Sequence, residues 1–394
     1  VHGQSSLLGS ARSAKCYDCH GSHQILPPDD PASTLSTKNV VQTCGQCHEG
    51  AHRQFAGYLT HATHHDPAKY PWLFWTFWGM TALLIGTLAV ALVHTAAWLV
   101  RLWLSREEWK GHKAAVQPKE GQKLYRRFDR YQRMQHLVML ISFFALAITG
   151  MTLKFSYTDW AQWLSGVIDF DAMSLLHRVG AVVLFVIFVV HLVYLRRKKQ
   201  RMGWSWKEML AGPDSIVFNK NDFKEAGQAV KWFFGRGPRP RFGRYTYWEK
   251  FDYLAVFWGV AVIGLTGLMR WFPEAFTHVV PGWFINVAAI IHSDEALLAV
   301  GFIFTIHFFN THFRPDKVPM DPVIFTGRIS LEELKYDKPR EYERMVESGE
   351  LEQHLVEPFP EGVERASRVF GFIALGVGLL LIAAIVYSMI WAYA

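Results

Sequence analysis

The sequence predicts an all-α membrane protein: a helical bundle of six transmembrane helices with a four-helix core, preceded by a loop-rich segment outside the bilayer. Three observations predict it. Of 394 residues 51% are apolar and 19% charged, and the apolar ones gather in six runs, roughly 72–100, 134–153, 173–195, 251–270, 290–313 and 367–392. Each run is long enough to cross a bilayer core. Lys plus Arg alternate along the connections: nine in 105–133, one in 154–172, fourteen in 196–250, none in 271–289 and eight in 314–365. All four cysteines precede the first run.

The alternation is the positive-inside pattern and puts the first, third and fifth of these loops in the cytoplasm. Residues 1–70 and Ala394 are then expected on the outer, periplasmic face of a bacterial-type cytoplasmic (inner) membrane. The net charge of +7 is accounted for by the cytoplasmic loops, with no nucleic acid partner. Tryptophans at run edges, among them Trp72, Trp103, Trp163, Trp248 and Trp271, fit an interfacial belt facing the lipid bilayer. The domain boundaries that follow are 1–70 for the exported segment, 71–104 for the first transmembrane helix, 131–313 for the four-helix core, 314–365 for a cytoplasmic connection and 366–394 for a C-terminal anchor.

Residues 1–70 are rich in Gly, Ser, Pro and His and lack amphipathic period, so an apolar core of their own is not expected. They carry Cys16-Tyr-Asp-Cys19-His20 and Cys44-Gly-Gln-Cys47-His48. Cys-x-x-Cys-His is the covalent attachment motif of c-type haem, in which two thiols hold the macrocycle and the histidine ligates iron. Two copies with no cysteine left over predict two c haems around which the chain wraps. A zinc site of two Cys-x-x-Cys pairs, or two disulfides in an oxidising compartment, are the competing readings; neither explains the histidine that follows each pair.

Each c haem needs a second axial ligand, and His2, His23, His52, His61, His64 and His65 are available. His2, His23 and His61 are the better candidates, and three for two haems points to a further haem from a preceding portion of the chain or from a partner. His52, His64 and His65 read as solvent-facing. The sequence begins at Val1 without a targeting segment, which an exported N-terminus normally requires; a cleaved or unrecorded leader is expected.

In the first run His94 stands alone on an apolar helix and reads as interfacial or hydrogen-bonded. The third run, around Leu175–Leu195, carries His177 and His191 fourteen residues apart, and the fifth carries His292 and His307 fifteen apart. Fourteen residues of regular helix rise roughly 21 Å and return to nearly the same face. Two such helices side by side offer two stacked bis-histidine sites, and ionisable groups inside a bilayer are functional by default. An internal repeat reinforces this. The second run ends in Thr149-Gly150 and the fourth in Thr266-Gly267, followed 28 and 26 residues after each Thr by His177 and His292. The core is thus two related hairpins of parallel topology. Gly150, Gly180, Gly259, Gly264 and Gly267 serve either close approach of a flat macrocycle or plain helix packing. The segment 314–365 reads as a solvated amphipathic helix, with a docking surface as the other option, and the sixth run as an anchor without chemistry.

On these residues the second to fifth runs resemble the transmembrane di-haem cytochromes b. His177-Arg178 through His191-Leu-Val-Tyr-Leu, with the step from His292 to His307, is similar to the cytochrome b of the bc and bf complexes. Arg133-Met-Gln-His136 through Phe144-Ala-Leu-Ala-Ile-Thr149-Gly150 is similar to the cytochrome b subunits of formate dehydrogenases and nickel-iron hydrogenases. The N-terminal motifs separately resemble multihaem cytochromes c. Both branches imply that His177 and His292 hold an outer b haem. For the inner b haem His307 pairs with His191 in the first branch and His136 in the second; the matched spacing favours His191, leaving His136 as an alternative ligand or part of a quinone site.

The resemblance implies an electron-transfer subunit linking the quinone pool through two b haems and two c haems to periplasmic or membrane redox partner subunits. His136, Asp252 and His312 would carry protons near the inner site. Other classes are a passive haem-wired anchor without a quinone site, and a transporter with an exported zinc module. No nucleotide-binding, Ser-His-Asp or molybdenum signature is present.

Overall fold

A computed structural model describes residues 2–106, 110, 121–318 and 320–392. Val1, Ala394 and most of 107–120 in the first basic loop lie outside the described residues, and so does the expected placement of Ala394. Six helices are long and apolar enough to cross a membrane: Pro71–Leu104, Arg130–Lys154, Phe170–Arg201, Tyr247–Trp271, Trp283–Phe313 and Glu361–Ile390. They are called the first to sixth spans, and with them the chain is a multi-pass membrane protein.

The second and fourth spans begin ahead of their apolar runs, at capping residues. Ahead of the second span, the Asp129 carboxylate accepts from the Gln132 amide at 2.8 Å while the Gln132 side chain accepts from the Asp129 amide at 3.1 Å. Ahead of the fourth, Thr246 and Glu249 repeat the exchange at 3.3 and 2.7 Å. These are reciprocal capping boxes that satisfy orphan helix N–H groups. Each stands twenty residues before its Thr-Gly step, so the repeat extends to the start of the helix.

The second span packs on the third and the fourth on the fifth, as two hairpins. The fifth is the central helix: it also touches the first, second and sixth. From Ile303 to His307 and again from Phe309 to Phe313 it winds as π-helix, a wide turn that recurs at functional sites. Phe304 and Phe308 of this stretch, with Met151, Phe155, Leu375 and Leu381, form the largest apolar cluster. The sixth span closes on it at Gly378, where any side chain would meet Phe304 and Phe308, and Trp160 donates to Ser388 of that span at 2.8 Å.

One end of the bundle is capped. A three-stranded antiparallel sheet, in the order β2-β1-β3, joins β1 (Leu124–Arg126), β2 (Arg328–Ile329) and β3 (Leu355–Val356), with Tyr125 opposite both Ile329 and Leu355. The segment 314–365 is therefore not one solvated amphipathic helix. It folds into short helices, Leu331–Asp337 and Pro339–Glu347, over a core of Tyr125, Ile329, Leu334 and Met345. Charges are buried with their partners. Asp337 meets Lys317 at 2.8 Å, Arg239 at 3.3 Å and Arg314 at 3.9 Å. Against the effect of burial, Lys317, Arg314 and Arg239 hold its carboxyl well below the ordinary range. Arg127 bonds Glu249 at 2.9 Å, Arg244 bonds Glu341 at 2.7 Å, and Glu341 also accepts from Tyr125 at 3.0 Å.

Residues 2–70 dock on the opposite end. Among their described residues only Leu8 and Phe55 are buried apolar side chains, in keeping with a segment that has no core of its own. Short helices, His2–Leu7, Cys16–His20 and Val40–Gly45, are joined by turns. The Asn286 side chain, on the fifth span, accepts from the Leu59 amide at 3.0 Å and donates to the Leu59 carbonyl at 2.8 Å. Ser165 donates to the Leu8 carbonyl at 2.7 Å.

Candidate functional site

Between the second, third, fourth and fifth spans lies a cavity of about 1940 Å³, lined by His136, His177, His191, His292, His307 and His312. It is roughly twice the upper end of the ~300–1,000 Å³ usual for a single ligand pocket. At its docked end the rings of His177 and His292 stand 6.3 Å apart between centroids. A metal held between two imidazoles at about 2.0–2.1 Å from each nitrogen separates their centroids by roughly 6 Å. Ring pairs at that distance also occur in ordinary packing, so the surroundings decide.

The surroundings fix both rings through Nδ1. Thr149 donates to the Ala145 carbonyl at 2.6 Å, so its oxygen accepts from His177 Nδ1 at 2.8 Å. His292 Nδ1 donates to the Ile263 carbonyl at 3.0 Å, with Thr266 at 3.4 Å. Each Nε2 is left as a lone-pair ligand, the outer-shell arrangement that metal-binding histidines use. The glycines divide accordingly. A Cβ on Gly150 would lie 3.3 Å from the His177 ring and one on Gly267 3.0 Å from the His292 ring, whereas Gly180 meets Leu146 and Gly264 meets nothing. Gly150 and Gly267 make room for the histidines, and Gly180 serves helix packing. The Thr-Gly repeat was visible in the sequence; that the threonines orient the histidines was not.

At the capped end His307 Nδ1 is held by Asp252 at 2.8 Å, again freeing Nε2. His191 differs. Its Nδ1 pairs with Gln135 at 2.9 Å and its Nε2 with Tyr253 at 2.9 Å, so both nitrogens are engaged. His136 makes no side-chain hydrogen bond among the described residues, and His307 and His312 are its electrostatic neighbours. His307 thus keeps Nε2 free, whereas His191 is held through both ring nitrogens.

In the docked segment the two Cys-x-x-Cys-His motifs come together with two of the expected partners. His20 faces His61 at 6.1 Å and His48 faces His2 at 6.2 Å between centroids. Glu274, in the loop before the fifth span, holds His48 Nδ1 at 2.5 Å; nothing in the sequence marked this residue. Burial and the neighbouring His48 push His2 below its ordinary value, which keeps it in the neutral form that ligates metals. All four cysteines are free thiols, and no group of three or more His, Cys, Asp or Glu suited to a metal ion occurs among the described residues. Burial pushes the Cys19 and Cys44 thiols up, unlike activated thiolates. His23 is exposed. His52 stacks on His278 at 4.1 Å, His64 stacks on Phe77 at 3.8 Å and tilts against His65 at 4.1 Å. His94 bonds Tyr247 at 2.5 Å, the hydrogen-bonded role expected of it.

Residues 127–314 match the protein family described as prokaryotic cytochrome b561. No curated protein matches the chain. The match begins at the capping box of the second span and ends just past the π-helical turns of the fifth, so it takes in six of the seven histidines that line the cavity, all but His64. The membrane core of this protein, residues 127–314, thus matches the prokaryotic cytochrome b561 family, and its six-span helical bundle is consistent with a transmembrane electron-transfer cytochrome b.

Proposed function

We propose that the chain is a membrane electron-transfer subunit that connects the quinone pool, through two b haems in the cavity and two c haems in the docked segment, to a redox partner protein. The observation that carries this reading is the set of three histidine pairs, His20/His61, His48/His2 and His177/His292, whose centroid separations agree within 0.2 Å, at 6.1, 6.2 and 6.3 Å. In this reading His177 and His292 ligate the b haem at the docked end and His307 and His136 the one at the capped end. His20 and His48 are the proximal ligands of the c haems, with His61 and His2 opposite them. Cys16, Cys19, Cys44 and Cys47 carry the thioether bonds, and His23 is the spare ligand. Bound haem supplies reversible one-electron storage, while the protein sets position and potential.

The residues near the capped end support the quinone link. A quinone takes up two protons with two electrons, and His191, Tyr253, Asp252 and His312 are protonatable groups lining that end. His191 and Tyr253 already share a hydrogen bond that a quinone oxygen would replace with one of its own. Orientation follows from the basic loops, with the capped end in the cytoplasm and residues 2–70 in the periplasm.

A pyridine haemochrome count on the purified full chain tests the reading, with two b and two c haems expected. His136→Ala is expected to lose one b haem and His191→Ala to keep both while losing reduction by a short-chain quinol. Loss of haem from the His191 variant alone would reverse the ligand assignment. Haems reduced by dithionite but never by quinol in the native chain would leave a passive, wired anchor.

A further inference from the structure

Two cations stand at the docked ends of equivalent spans, and only one is neutralised. Lys154 closes the second span and bonds Asp294 at 2.6 Å. Arg270 stands one residue from the end of the fourth span, lines the cavity, and has a buried Nε with no hydrogen-bond partner. Its electrostatic neighbours are Tyr58, His177 and His292. None of them is an anion: burial pushes the Tyr58 phenol up, so it stays protonated. Of the acids near this end, Glu274 is engaged with His48, Asp294 with Lys154 and Asp171 with Arg12, and Glu295, which also lines the cavity, is not among the electrostatic neighbours of Arg270. Arg178, next to His177, also lines the cavity and lies 5.4 Å from the centroid of the Trp271 ring, with no ion pair among the described residues.

A guanidinium cannot shed its proton to escape burial. A charge withdrawn from water without a counter-ion is costly enough that the fold must supply one or a ligand must bring it. The missing partner has to be anionic, reach the cavity beside His177 and His292, and suit the two-pronged geometry by which guanidinium groups take carboxylates.

We propose that Arg270, with Arg178 beside it, is the binding site for the propionate carboxylates of the b haem held by His177 and His292. The inference rests on the reading of that pair as a haem site. It fixes what the histidines leave free, the rotation of the macrocycle about its axis, and turns the propionate edge toward Tyr58 and the docked segment. It also places a positive charge against the haem, which favours the reduced form.

The test uses the full chain in nanodiscs as wild type, Arg270→Gln, Arg270→Lys and Arg178→Gln. The relevant haem is identified as the one absent from His292→Ala. Haemochrome counts, resonance Raman spectra in the propionate-bending region and redox titration are read on each. Arg270→Gln is expected to keep both b haems and shift the propionate band. At fixed poise it should lower the reduced-to-oxidised ratio of this haem about tenfold, equal to about 59 mV for a one-electron couple. Arg178→Gln should shift it less, and Arg270→Lys should restore most of the change. Should the Gln variant lose the haem, retention with a near-native band in the Lys variant supports the assignment. An unchanged band and ratio in Arg270→Gln with both haems present, or a Lys variant as altered as the Gln one, overturns it. A wild type without b haem would instead fail at the haemochrome step and sink the haem reading itself.

Discussion

Thr149 and Thr266 occupy the same place in two related hairpins, yet the histidines they face do not depend on them equally. His177 Nδ1 has Thr149 at 2.8 Å as its hydrogen-bond partner, whereas His292 Nδ1 has the Ile263 carbonyl at 3.0 Å and Thr266 only at 3.4 Å. Valine keeps the shape of threonine and removes the oxygen. Thr149→Val should therefore loosen the b haem at the docked end by the 10–100-fold typical of a lost outer-shell partner, and Thr266→Val should leave it nearly unchanged. Transfer of b haem to apomyoglobin measures both; equal rates in the two variants would contradict the asymmetry. At this scale the sequence was legible in part. Residue types and the fixed Thr-to-His offset stood out, and so did His2 and His61 among the histidines of the N-terminal segment. Glu274 and Gln135 did not, because each meets its histidine through the fold and not through any spacing along the chain.

At the scale of elements, existence and order were readable and phase was not. Six apolar runs became six spans because a bilayer leaves a long apolar helix few other places to go. The π-helical turns in the fifth span carry no comparable signal. The cap was misread for a different reason: Glu332, Glu333, Lys335 and Glu341 to Arg344 read in isolation as a solvated face, yet Glu341 on that face is buried. Here the charges face one another. Lys335 and Glu332, at 42% and 46% exposure, form the kind of surface pair worth about 0–1 kcal/mol, while Asp337, at 15%, joins three cations. Asp337→Asn leaves Arg239 without an ion pair, while Lys317 keeps Glu333 and Asp321 and Arg314 keeps Asp316, at a cost of about 1–3 kcal/mol. It should lower the thermal midpoint of the detergent-purified protein by several degrees, and Lys335→Gln should not. Indistinguishable melting of the two would show that the cap is held by its apolar core instead.

Across the whole molecule, the arrangement puts the histidine pair of the docked end and the two Cys-x-x-Cys-His motifs on the same side, and this proximity depends on few polar ties. Asn286 is the most direct, since one side chain from the span that carries His292 satisfies both backbone groups of Leu59. Deleting it leaves an amide and a carbonyl without partners, at about 1–3 kcal/mol for each buried group. The spans have their own packing, so such a loss falls on the docking of residues 2–70 and not on the bundle. On the proposed path from quinol through b haem to c haem, Asn286→Ala should leave the haem counts and potentials at their wild-type values, while the quinol-driven appearance of reduced c haem slows severalfold relative to reduced b haem. Stopped-flow spectra that resolve the b and c bands measure the two rates in one experiment. If c haem reduction keeps pace with b haem reduction in the variant, the proposed path from b to c haem does not run through this interface.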